Sequence, residues 1–180
     1  MKTTKTILDL TRSQTALRLG IDNTSYSFKV GRNLRKLLDA LHQVEQILQA
    51  SVQIHSGFRC EALERILTQK DYLGWCKRRN RRETEASWLF YFKGKAHPQG
   101  FAVDFTCEAF GAPVQVVEAL RLSGMKFNKL IAEGDWVHLS IAPAMRQLTL
   151  TATFTEGIPS YQTFTSPSTS PSPPNKKRTT

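Results

Sequence analysis

The sequence predicts one domain of mixed helices and strands, and three observations lead there. Helical periodicity dominates the first fifty residues, period-two alternation recurs between residues 52 and 141, and no internal repeat is present. At 180 residues, 40% of them hydrophobic, the chain can bury the core of one ordinary domain without disulfides.

The elements follow in order. Leu8, Leu10, Ala16, Leu17 and Leu19 predict a short amphipathic helical segment ending near Gly20. From Asn33 to Ala50, Leu34, Leu37, Leu38, Leu41, Val44 and Leu48 recur at steps of three and four, which predicts a long helix with one buried face. Val52 to His55 alternates as a strand, closed by Ser56-Gly57, and Glu61 to Leu67 reads as one or two helical turns. The charged, aromatic stretch 68–95 reads as an insertion, a helix plus a short strand from Trp88 to Phe92. Phe101 to Thr106 alternates strictly, with Ala102, Asp104 and Thr106 sharing a face. Pro113 opens a helix that Ser123-Gly124 closes near Leu122. Lys129 to Ala132 and Trp136 to Ile141 are two further strands, joined by a turn at Glu133-Gly134-Asp135. The domain is expected to span 1–157, and the Ser-, Thr- and Pro-rich stretch 158–180 to be a disordered tail with a basic end.

No stretch approaches the roughly 20 apolar residues that cross a bilayer. The basic start MKTTK has no apolar run behind it, so no secretory signal is expected. Cys60, Cys76 and Cys107 form no CxxC pair or disulfide framework, and read as small buried residues. The net charge of +10 is concentrated in Lys77-Arg78-Arg79-Asn80-Arg81-Arg82 and Lys176-Lys177-Arg178. Such blocks imply contact with an anionic polymer (nucleic acid, anionic lipid or a wall polymer), or else a solvated loop.

The residues that carry chemistry lie between these features. His97 precedes a turn, and Asp104 lies on the strand after it beside the small Ala102. His138 points away from the face that holds Val137 and Leu139. If the two strands are neighbours, two imidazoles and one carboxylate converge, leaving a fourth position open as in a catalytic zinc site. Asp135, three residues before His138, is placed to take a proton from an attacking water. Arg59, just past the first strand, offers a fork for a substrate carboxylate or an oxyanion. His42, on a helix face, and His55, at a strand end, read as ordinary structural histidines.

Ser56-Gly57-Phe58-Arg59, then His97-x-x-Gly100-x-Ala102-x-Asp104, then Asp135-Trp136-Val137-His138 resembles the D-alanyl-D-alanine carboxypeptidase family of zinc peptidases. That family includes dipeptidases and the L-alanyl-D-glutamate endolysins of phages. The resemblance covers about residues 8 to 142, and takes in Leu8 to Asn23, Asn33-Leu34 and Phe127 to Ile131. It implies a fold of the α+β class, a small antiparallel sheet with helices packed on one side. It also implies a Zn²⁺ held by His97, Asp104 and His138, with Asp135 as general base and Arg59 on the substrate carbonyl. Glu133 is a second carboxylate near the base position. The implied activity is hydrolysis of peptidoglycan stem peptides, by a phage-encoded monomer in the host cytoplasm or virion. The alternative is a catalytically inactive peptidoglycan-binding module. Two features depart from the family pattern: Lys95 stands where a serine is usual, and the 68–95 insertion lengthens the path from Arg59 to His97.

Overall fold

The computed structural model describes residues 5–155 and 158–166. Helices α1 (Ile7–Thr11) and α2 (Gln14–Arg18) open the chain, before the long α3 (Phe28–Leu48). The Ser27 hydroxyl caps α3 by accepting from the Val30 amide at 3.3 Å, and Gln49 ends it in the left-handed region. Strand β1 (Gln53–Ser56) leads into three helices, α4 (Glu61–Leu67), α5 (Gln69–Arg78) and α6 (Glu85–Lys93). Then come β2 (Ala102–Thr106), α7 (Pro113–Leu122), β3 (Lys129–Glu133), β4 (Trp136–Ser140), β5 (Leu148–Thr155) and β6 (Ile158–Thr163).

The α+β expectation holds: the six strands form one sheet in the order β1-β2-β4-β3-β5-β6. Every pairing is antiparallel except β3 with β5. The exception follows from the path of the chain. After β4 the backbone passes beneath β3 and starts β5 beside its first residue, pairing Lys129 with Leu148. Gln147, itself left-handed, pins this passage by accepting from the Phe127 amide at 2.6 Å and donating to the Met125 carbonyl at 3.1 Å.

One sheet face carries Val103, Phe105, Leu130, Ala132, Val137 and Leu139. These pack with Leu34, Leu37, Leu41 and Val44 of α3, Val116, Val117 and Leu120 of α7, and Leu10 of α1. Each fully buried side chain of this kind contributes about 1.5–3 kcal/mol. The opposite face holds Asp104 and His138. Leu63, Cys76, Trp88 and Tyr91 are buried outside the main core, so α4, α5 and α6 make a small cluster of their own.

Three parts of the sequence reading need correction. Trp88 to Phe92 is helical: the Thr84 hydroxyl caps α6 by accepting from the Ser87 amide at 3.2 Å. Trp88 and Tyr91, three apart, then share its buried side, and this packing overrides the strand preference of aromatic residues. Residues 158–163 are not tail but strand β6, paired along its length with β5. Strand β5 itself went unread, although Leu148, Leu150, Ala152 and Phe154 alternate along it. The rest of the expected tail, 167–180 with its basic end, lies outside the described residues. Among the described residues no helix is long and apolar enough to cross a membrane.

Candidate metal centre

The site rests on the register of β2 against β4. Asp104 and His138 are direct partners in this antiparallel pair, so their side chains rise from the same face. The His138 Nδ1 lies 2.8 Å from the Asp104 Oδ1. His97 arrives from the tight turn before β2, where Gly100 has φ +71 and its amide donates to the His97 carbonyl at 2.9 Å. A Cβ on Gly100 would sit 3.1 Å from the Val30 carbonyl oxygen and 3.2 Å from the Leu34 side chain, so the turn is pressed against α3. Asn33 holds it there by donating to the Gln99 carbonyl at 2.8 Å.

The His97 ring is oriented by the backbone. Its Nδ1 lies 2.6 Å from the Gly57 carbonyl oxygen, which only accepts. Nδ1 therefore carries a proton, and Nε2 is the nitrogen turned toward Asp104, 3.3 Å from its Oδ2. Gly57 can occupy this place only as glycine, because a Cβ there would collide with the Leu10 carbonyl oxygen. One ligand atom each from His97, Asp104 and His138 lie within 4.8 Å of one another, and the two histidine rings are 5.3 Å apart.

The surroundings of Asp104 keep its carboxyl ionised. Burial alone would raise the Asp104 pKa, but the charge of His97 and hydrogen bonds from His138 and His97 outweigh it. The carboxyl is held well below the usual range, so it is ionised, as a metal ligand must be. His97 and Asp104 are each 8% exposed, which limits competition from water. A carbonyl fixing one nitrogen of a ligand histidine is the usual outer support of metal sites. Two nitrogens, one ionised oxygen and that support fit a metal ion, and the triad can hold one.

The other predicted residues are placed as follows. Arg59 reaches the triad: its Nε donates to Ser56 Oγ at 2.9 Å and its Nη2 to Asp104 Oδ2 at 2.9 Å. Asp135 is exposed at the β3–β4 turn and lines a cavity of 390 Å³ with Thr106, Cys107, Glu108 and Val137. Among the described residues no hydrogen bond or ion pair joins Asp135 to the triad. Glu133 pairs with Trp136, two residues from His138, and so shares the His138 face. The Tyr161 hydroxyl donates to Glu133 at 3.1 Å.

No family model, no curated protein and no solved structure matches the chain.

Lys95 does not lie free beside the triad. Its ammonium sits 4.2 Å from the centroid of the Tyr91 ring. Burial pushes its pKa down, and the carboxylates of Glu64 and Asp71 oppose that shift. His55 Nε2 meets Thr106 Oγ1 at 2.9 Å, and neither it nor His42 belongs to the metal group. Cys107 is buried, its thiol pushed up by that burial, and it too lies outside the group. The sequence reading missed the Gly57 carbonyl, Glu64 and Tyr161. The carbonyl leaves no side-chain signal, and Tyr161 fell in the stretch read as tail.

Proposed function

We propose that the chain is a zinc-dependent peptidase that hydrolyses peptidoglycan stem peptides, as a carboxypeptidase or an endolysin-type endopeptidase, and that it is encoded by a phage. The observation that carries this reading is the convergence of His97, Asp104 and His138, with the Arg59 fork on the same carboxylate. The ordered sequence motifs around those four residues support it. Zinc, when bound by this triad, supplies Lewis-acid polarisation of the scissile carbonyl and acidifies a water molecule.

The protein's own residues do the rest. Arg59 steadies the carbonyl oxygen as negative charge builds on it. Asp135, three residues before His138 and exposed to solvent in the β3–β4 turn, takes the proton of the attacking water and returns it to the leaving amine. Glu133, held by Tyr161 on the His138 face, is the competing carboxylate for that role. Asp135→Asn and Glu133→Gln separate the two: the base is the one whose loss abolishes hydrolysis and leaves metal binding intact.

The second reading, a binding module without turnover, draws on the absence of a contact between Asp135 and the triad among the described residues. The deciding experiment is metal analysis of the purified protein with digestion of bacterial peptidoglycan, alongside His138→Ala. About one zinc per chain, as one catalytic site requires, and new peptide termini that vanish in the variant are expected. Zinc without cleavage would select the binding module, and no metal would refute the site.

A further inference from the structure

Arg59 is held from three sides, and one of the three has no evident structural purpose. Ser56 takes its Nε and Asp104 its Nη2, each at 2.9 Å. The third partner is Glu64, whose Oε2 lies 3.5 Å from Nη1. Glu64 stands in the middle of α4, and its side chain is only 1% exposed. A carboxylate withdrawn this far from water loses its hydration, and such a charge persists only where a cation compensates it. Among the described residues Arg59 is the one cation within ion-pair distance of Glu64. The helix gains nothing from a charge there that a leucine would not supply more cheaply. What the carboxylate does is restrain a guanidinium whose other nitrogen points into the candidate metal centre.

We propose that Glu64 is a positioning residue, which fixes the plane of the Arg59 fork so that Nη2 faces the reacting carbonyl. This rests on the peptidase reading for its catalytic consequence, though not for the clamp itself. A planar fork gripped at Nε by Ser56 and at Nη1 by Glu64 cannot rotate about its Nε–Cζ bond without breaking a contact. Nη2 is then the one free corner when Asp104 turns its oxygens to a metal. Preorganised donors of this kind act on charge that develops during reaction, so their loss falls on kcat more than on KM.

The test is Glu64→Gln, which keeps the shape and removes the charge, with Glu64→Asp as the charge-retaining partner. At saturating zinc, kcat on peptidoglycan peptides should fall about 10- to 100-fold, as for the loss of other outer supports. KM and bound zinc should change little, and Glu64→Asp should recover part of the loss. In an Arg59→Ala background, Glu64→Gln should cost kcat little further, because its ion pair is with Arg59. Unchanged kcat in Glu64→Gln, or an equal loss with Arg59 already removed, would overturn the proposal. A second readout needs no turnover: the Nη proton signals of Arg59 by nuclear magnetic resonance. They should be separately resolved in the unaltered protein, and those of Nη1 should shift and exchange faster in Glu64→Gln. Averaged signals in the unaltered protein would refute the clamp. Digestion by the unaltered protein tests the peptidase reading separately, so either idea can fail while the other stands.

Discussion

The sheet face that holds the triad and the helical region α4–α6, most of it the 68–95 insertion, use opposite means to hold charged groups in place. On the sheet, Asp104 is buried and its oxygens are shared among His97, His138 and Arg59. In the insertion Arg79 and Arg81 are exposed and lie against rings. The Arg81 guanidinium is 5.1 Å from the Phe90 ring and 5.8 Å from Trp75, and Arg79 is 5.5 Å from Trp75. Beneath them Trp88 is buried, donating its indole N–H to Glu61 at 2.9 Å under the Arg65 guanidinium. Buried polar contacts fix positions closely because an unmet partner is costly. Cation–ring contacts at a surface hold a helix pair together while leaving charge available to an outside anion. The first suits a metal centre, the second an accessory surface.

That contrast can be broken by substitution. The largest effect is expected from Trp88→Ala, which empties the middle of the insertion and should cost about 3–5 kcal/mol. Denaturant unfolding measures the loss, while zinc stoichiometry of the folded protein should stay unchanged. A loss of metal in the folded variant would mean that the two regions are one unit.

Gly100→Ala should act the other way. A side chain at φ +71 costs about 1–2 kcal/mol, and its Cβ would also press on the Val30 carbonyl. The turn that aims His97 must shift, so zinc affinity should fall by at least about tenfold. A titration that shows unaltered affinity would remove the turn from the account of the site.

The smallest effect is expected at a buried ion pair that belongs to neither region. Glu45 accepts from Lys5 at 2.8 Å and from the Val52 amide at 2.9 Å. Burial raises its pKa, but these partners win, and the folded value lies below the ordinary 4.5. The unfolded chain thus takes up the proton first, so the stabilisation is complete above pH 4.5 and fades as pH falls through the lower folded value. Glu45→Gln should lower stability by about 1–2 kcal/mol near neutral pH. The difference from the unaltered protein should shrink below pH 4.5, and a pH-independent difference would deny the carboxylate this role.

Much of the fold was legible because local period and tertiary burial agree. Strict alternation at 101–106 marked β2, and the leucine spacing after Asn33 marked α3, though α3 begins five residues earlier, at Phe28. Agreement failed where packing partners are distant. The aromatic run 88–92 has strand-favouring residues, yet it is helical because Thr84 caps it and Trp88 and Tyr91 bury together. The run Ile158 to Thr163 has too few apolar residues to signal a strand, and only its pairing with β5 makes it one. Of the candidate site, His97, Asp104, His138 and Arg59 were all legible in the sequence, whereas nothing in the sequence singles out Glu64.

By itself, then, the sequence determined which side chains share a face of their own strand, since alternation is a local property of extended backbone. It also supplied the glycines at 57 and 100, without which the chain cannot pass close enough to Leu10 and Val30. Only the tertiary structure decided that Asp104 lies opposite His138, 34 residues away, with His97 folded back over both. A slip of one residue between β2 and β4 would turn one of the two to the other face and leave the sequence unchanged. Register between distant strands is set by the burial of Val103, Phe105, Val137 and Leu139 against α3 and α7. That burial depends on the whole core at once, and so no local pattern encodes it.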